Sequence, residues 1–289
     1  MRPASCWICN GHGPHVEEER KTLMEAGSFA DRSLSEAFTQ GVQIHGASWV
    51  AVSSQVRPGR QTLTQVHEQG LRFGEHLRAR GIAPGDVVAV QLPAWTEWMI
   101  AAVGIAHAGA VLLPVVSIYG AKELRFILAQ SRARLIVTPD RWRKADYAAT
   151  LAEAGELPAL TTHVMIGDAA PGTVPWDAML APIAIGPAAA RSPDDLAILV
   201  YTSGTTADPK GVKHSARTLL SEVDAIAWSR RDLEDEIAFC PWPPGHVAGA
   251  FQLMRFLVTG APVVLMDQWE PGEAAMLVEK YRIVSSSFT

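Results

Sequence analysis

Between Tyr201 and Val212 the sequence reads Tyr-Thr-Ser-Gly-Thr-Thr-Ala-Asp-Pro-Lys-Gly-Val. Thr202, Ser203, Gly204 and Thr205 are hydroxyl or glycine positions that follow the apolar run Leu196 to Tyr201. Such a loop can offer several backbone N–H groups and hydroxyls to one set of phosphate oxygens. Gly204 permits a close backbone approach that a Cβ would block. Lys210 adds a mobile cation able to follow a departing pyrophosphate. The Walker pattern is absent, because Pro209 holds the place where its Gly-Lys pair would begin. The competing reading is an ordinary turn of Ser, Thr and Gly, which a match of this length at a strand end disfavours.

Thr202-Ser203-Gly204-Thr205-Thr206 with Pro209-Lys210-Gly211 resembles the phosphate-binding signature of the adenylate-forming superfamily: acyl-CoA synthetases, luciferases and peptide-synthetase adenylation domains. Leu63-Thr64 resembles that family's first core motif. Ala106-His107-Ala108-Gly109-Ala110 with Pro114 resembles its second, a helix-to-strand turn. His246-Val247-Ala248-Gly249 resembles the His-containing segment that lines its acyl pocket. The texture of Ala207 to Val212 followed by Lys213-His214-Ser215 favours the acyl-CoA ligase branch, acting on fatty or alicyclic acids. The resemblance implies two steps: a carboxylate attacks the α-phosphate of ATP and releases pyrophosphate, then coenzyme A thiolate displaces AMP. It implies that Thr202, Ser203, Gly204, Thr205, Thr206, Lys210 and Gly211 bind the β- and γ-phosphates, with Mg²⁺ accompanying ATP. His246 is then a gate at the mouth of the acyl pocket, although a lone His is more often a core or surface residue.

Several departures accompany the resemblance. Gly245 stands where an aromatic usually precedes the His, and Gln65 and His67 stand where Tyr and Glu usually follow the first motif's Thr. Ala207 replaces a Gly or Ser. The family's aromatic-Gly-x-Thr-Glu segment is absent downstream of the loop, and Thr96-Glu97 lies upstream in another context. Thr-Gly-Asp is absent as well. The expectation is therefore an N-terminal portion without the C-terminal lid domain, truncated and inactive. The alternatives are a stand-alone nucleotide- or acyl-binding module and a fragment of an amino-acid adenylation domain.

Other constellations have plainer readings. Cys6 and Cys9 with His12 and His15 could hold zinc, but structural zinc usually uses two separated knuckles, which favours an unstructured extension. Arg141-Trp142-Arg143-Lys144 could touch a phosphate of coenzyme A, yet such clusters are more often solvated helix ends. Tryptophans such as Trp95, Trp98 and Trp242 read as core and surface residues rather than as a stacking platform.

The elements that must position these residues follow from apolar periodicity. Thr64 to Arg80 reads as a helix with Val66, Gly70, Phe73 and Leu77 on one face, ended by Gly81. Strands are expected at Val87–Val90, Val111–Val116, Leu135–Val137, Val164–Ile166, Leu196–Tyr201 and Val263–Met266, with another opening at Ile283. Helices are expected at Glu97–His107, Ala121–Ser131, Ala216–Ser229, Ala248–Val258 and Gly272–Tyr281. This alternation predicts an α/β fold of layered, mostly parallel sheets with flanking helices. Residues 1–28 read as an extension, 29–190 as a first subdomain and 191–289 as the start of a second, joined by a linker over Gly186–Pro193.

Composition sets the outer limits. The 289 residues are 48% apolar and 19% charged, which excludes a disordered chain. A formal charge of -5 gives no basic surface for nucleic acid. Three cysteines are too few for a disulfide framework, and with no secretory signal a cytoplasmic location is expected. The apolar run Met99 to Val116 is interrupted by Gly104, His107, Gly109 and Pro114, so a buried helix, turn and strand are expected rather than a membrane span. An incomplete domain would leave apolar surface uncovered and prone to self-association.

Overall fold

The computed structural model describes residues 29–202, 209–229 and 236–286. After a 3-10 turn at Phe29–Asp31, Ser33 and Glu36 form a reciprocal capping box that opens α1 (Leu34–His45). β1 (Trp49–Ser53) pairs antiparallel with β2 (Gly59–Thr62). Thr62 and Gln65 then cap α2 (Leu63–Ala79) in the same reciprocal way, so the helix begins one residue before the sequence suggests. Its end is a Schellman motif, with Gly81 N–H donating to Arg78 O (2.9 Å) and Ile82 N–H to Leu77 O (3.1 Å).

β3 (Val87–Val90), α3 (Thr96–His107) and β4 (Val111–Pro114) follow. The Met99–Val116 run thus divides into helix, turn and strand, and Gly109 turns the chain at φ +71, a conformation glycine takes without strain. No described helix is long and apolar enough to cross a membrane. Next come α4 (Ala121–Ser131), β5 (Leu135–Pro139), the small hairpin β6 (Arg141–Trp142) with β7 (Ala145–Asp146), α5 (Tyr147–Glu153), β8 (Thr162–Ile166) and β9 (Val174–Pro175). Residues 186–193 have no regular structure. They are tied down where Gly186 N–H donates to Glu75 Oε1 (2.9 Å) and Ala189 N–H to His107 O (2.9 Å). The chain continues through β10 (Leu196–Thr202), β11 (Lys210–Ser215), α6 (Ala216–Ser229), β12 (Ala238–Cys240), α7 (Val247–Thr259), β13 (Val263–Met266), α8 (Pro271–Tyr281) and β14 (Ser285–Ser286).

The strands form two large sheets. One runs β11-β10-β4-β3-β5-β8-β9 and is parallel except for β11. The other runs β14-β12-β13-β1-β2 and is parallel except for β2. Each sheet draws strands from both sides of residue 190. Alternate residues of one strand enter different cores: Val88 and Val90 join the large central cluster, whereas Ala89 joins the cluster under α4. Val263 and Leu265 likewise face the central cluster, and Val264 and Met266 face α8. The result is five layers, with α1, α2, α3 and α7 packed between the sheets and α4 and α8 covering the outer faces. Strands buried on both faces read as continuous apolar runs, which is how the sequence shows them.

Candidate active site

Five strand ends, three from the larger sheet and two from the smaller, meet at one crevice. Pro93 and Ala94 follow β3, Val116 to Ile118 follow β4, and Trp142 and Arg143 sit on the hairpin after β5. From the other sheet, Pro241 to Pro243 and His246 follow β12, and Met266 to Trp269 close β13. They line a cleft of about 470 Å³. Ligands of open α/β sheets bind beyond the carboxyl ends of the strands, so the topology alone marks this crevice.

Buried polar contacts fix the loop after β4. Gln91 Nε2 donates to Val116 O (3.2 Å) and Tyr119 O (3.0 Å), and Tyr147 OH donates to Ser117 O (2.8 Å). Burial raises the Tyr147 pKa far above its ordinary value, so the hydroxyl remains a donor. Gly245 lies against the same loop: a Cβ there would overlap the Cα and N of Val116. The glycine that departs from the motif therefore lets the chain from β12 close onto the chain from β4.

His246 caps the N-terminus of α7 through its backbone. Its N–H donates to Pro243 O (3.1 Å), and its carbonyl accepts from Ala250 N–H (3.0 Å). The imidazole is exposed, makes no capping bond and lines the cleft. Cys240, just before these residues, is buried, and burial pushes its thiol up to about 11, so it is no nucleophile at neutral pH.

The phosphate-loop signature lies on a hairpin. Thr202 and Lys210 are cross-strand partners, as are Tyr201 and Gly211. Lys210 and Gly211, expected in a loop, instead begin the antiparallel edge strand β11, whose alternating polar sequence gave no apolar signal. Because β10 runs parallel to β4, Thr202 sits at the same sheet edge as the cleft. Thr202, Lys210 and Gly211 are exposed there. Ser203, Gly204, Thr205 and Thr206 lie outside the described residues, as do Ala207 and the group Cys6, Cys9, His12 and His15. The hairpin base is anchored by Tyr201, whose hydroxyl donates to Gln130 Oε1 (2.7 Å) on α4. Gly211 lies beneath that ring, with space for a Cβ only 3.2 Å from Tyr201 Cζ.

The cluster Arg141 to Lys144 is a hairpin rather than a solvated helix end. Trp142 is buried and contributes to the cleft wall, and the Arg143 guanidinium lies 5.1 Å from the Trp142 ring centroid. Trp242 and Trp269 line the cleft too, while Trp95 and Trp98 are core residues. Trp142, Trp242 and Trp269 each follow a strand of the fold, β5, β12 and β13, and the strand before Trp242 carried no expectation in the sequence. Thr96-Glu97 is structural: Thr96 opens α3, and Glu97 pairs with Arg57 at 2.9 Å. Among the described residues no group of three or more His, Cys, Asp or Glu side chains could hold a metal ion.

Residues 39–287 match the family described as AMP-binding enzyme. A 7a-methyl-1,5-dioxo-octahydroindenyl-propanoyl:CoA ligase from Rhodococcus jostii is 36% identical over 72% of this chain and 43% of its own length. A medium-chain fatty-acid–CoA ligase from Escherichia coli is 26% identical over 92% of this chain and 48% of its own. The chain thus spans about half the length of the curated relatives it matches. The crystal structure of an acyl-CoA synthetase from Brucella canis superposes with a TM-score of 0.76 at 23% identity, over 89% of this chain and 47% of that one, which shows the shared fold.

Proposed function

The chain belongs to the AMP-binding enzyme family, and from that premise we propose that it serves the ATP-dependent activation of a carboxylic acid for transfer to coenzyme A. The carrying observation is that the Thr202–Lys210 hairpin and the His246-lined cleft open at the same edge of the larger sheet. A triphosphate held at the hairpin lies beside an acid held in the cleft.

In the first step a carboxylate oxygen of the acid forms a bond to the α-phosphorus, and the bond from that phosphorus to pyrophosphate breaks. Charge grows on the departing pyrophosphate. The Lys210 ammonium, with the hydroxyls and N–H groups of Thr202 to Thr206, is suited to receive it. Gly211 contributes by letting the edge strand lie close to Tyr201. In the second step the sulfur of coenzyme A attacks the acyl carbon and AMP leaves. His246, exposed and lining the cleft, would gate the acid and contact the adenylate. Mg²⁺ would screen phosphate charge when bound. The apolar walls and a volume of about 470 Å³ suit a medium-sized fatty or alicyclic acid, in keeping with what the two relatives' names say of them.

The test is ATP binding by the intact chain, read as a thermal shift and by titration calorimetry. Lys210→Ala should weaken ATP at least about 10-fold while leaving the unfolding temperature without ligand unchanged, because Lys210 is an exposed strand residue. Where pyrophosphate exchange is measurable, its rate should fall about 10²-fold or more. Equal ATP affinity in the variant, or no ATP binding by the wild type, would overturn the assignment of the hairpin.

A further inference from the structure

One carboxylate in the cleft wall is held unusually. Asp267 follows β13, and its Oδ2 accepts three hydrogen bonds: from Trp95 Nε1 (2.8 Å), Trp142 Nε1 (3.3 Å) and Ser54 Oγ (2.6 Å). The donors come from three places far apart in sequence: the start of α3, the hairpin after β5 and the turn after β1. The backbone of Asp267 is also tied to β1, its N–H donating to Ser53 O (3.3 Å). Among the described residues no donor reaches Oδ1. Asp267 is half-buried and lines the cleft beside Trp142, Trp242, Met266 and Ala94.

Three donors on one oxygen fix the side chain, since any rotation would strand two indole N–H groups and a hydroxyl. The cleft therefore presents an oriented oxygen that can only accept, set in a largely apolar wall. An apolar acid pressed against it would strip its water and return no hydrogen bond, which is costly for a charged acceptor. A carbonyl on the acid would meet it with like partial charge. An ammonium would meet the Arg143 guanidinium that lines the same cleft. The acid's own carboxylate is repelled by Asp267 and is directed away from it.

We infer that Asp267 is a specificity-determining residue that selects acids bearing a hydroxyl on their apolar body, remote from the carboxylate. This rests on the reading of the cleft as the acid site. A site built to pair a substrate hydroxyl discriminates strongly against the analogue that lacks it, because its own polar group is then left unpaired.

Three probes of one shape decide it: 3-(4-hydroxycyclohexyl)propanoic acid, its 4-oxo analogue and the unsubstituted cyclohexyl acid. Their binding to the intact chain with ATP is measured by calorimetry. The wild type should bind the hydroxy acid at least about 10-fold more tightly than either analogue. In Asp267→Asn the amide oxygen can still accept from the indoles while the NH₂ faces the cleft, so the oxo acid should gain about 10-fold on the hydroxy acid. Equal affinities for the three probes in the wild type, or preference for the oxo acid (the group named in the Rhodococcus jostii relative's substrate), would overturn the inference and leave the cleft reading standing. Binding of none of the three by folded protein would overturn both. The wild-type ranking suffices if Asp267→Asn does not fold.

Discussion

At Gly245 the backbone has no space for the aromatic side chain that usually precedes the motif histidine. A Cβ would lie 2.6 Å from the carbonyl carbon of Val115 and closer still to Val116, and these neighbours are backbone atoms that cannot swing aside. Gly245→Ala should destabilise the fold by about 3 kcal/mol or more, at or above the usual cost of overpacking. It should also weaken acid binding, because the displaced loop forms part of the cleft. Gly59→Ala, on β2, meets nothing within 4 Å and serves as the control that should unfold like the wild type. Urea denaturation of the two variants checks this, and coincident midpoints would show that the approach of Gly245 to Val116 is wrong. His246 could be singled out from the sequence because it sits in a recognisable run. Trp142 and Arg143 stood out only as part of a basic cluster and Asp267 not at all, since only the convergence of five strand ends brings positions 93 to 269 together.

The helix pair at the centre sets the distance between the sheets. α2 and α3 cross closely: a Cβ on Gly104 would lie 2.6 Å from Gly70 O and 2.7 Å from Gly74 N, and one on Gly74 would lie 2.7 Å from Gly104 O. Small residues on both sides let the backbones touch. Gly104→Val should therefore force the helices apart and cost several kcal/mol, enough to lower the unfolding temperature by roughly 10 °C in a chain of this size. Calorimetry measures it, and a shift of only a degree or two would mean that the pair repacks freely. The α2 face was legible in advance, because Val66, Gly70, Phe73 and Leu77 recur at helical spacing and all four are buried. α4, α6, β3 and β13 match their expected bounds for the same reason: uninterrupted periodicity or a short β-branched run between turn residues. β11 and the β6–β7 hairpin escaped because exposed edge strands and two-residue strands carry no apolar pattern. β1 escaped because its parallel partner, β13, lies some two hundred residues away, and β2, paired with β1 alone, because it is a short polar edge strand.

Across the whole molecule His163 and His67 give stability one direction of pH dependence. His163 on β8 bonds through Nε2 to the Thr138 hydroxyl (2.7 Å), and burial lowers its pKa from 6.5 to about 4. His67, between α2 and α3, is lowered first by burial and then by the charge of nearby His107. In the unfolded chain both take up a proton near pH 6.5, whereas the folded protein resists it. Between the two pKa values the unfolded state binds more protons, so stability rises with pH in that window. The contribution of His163 is complete above about 6.5. It falls by at most about 1.4 kcal/mol per pH unit below that and is spent near pH 4, a total on the order of 3 kcal/mol. Denaturant unfolding at pH 7.5, 6 and 4.5 should show a steady loss, steeper than one histidine gives because His67 acts with the same sign. In His163→Asn the residue at that position no longer titrates, so the difference in stability between pH 7.5 and 4.5 should shrink by about 2 kcal/mol. A variant that loses as much stability on acidification as the wild type would show that His163 is solvated in the fold, and that the outer strands of the larger sheet are less closely packed than the five-layer arrangement requires.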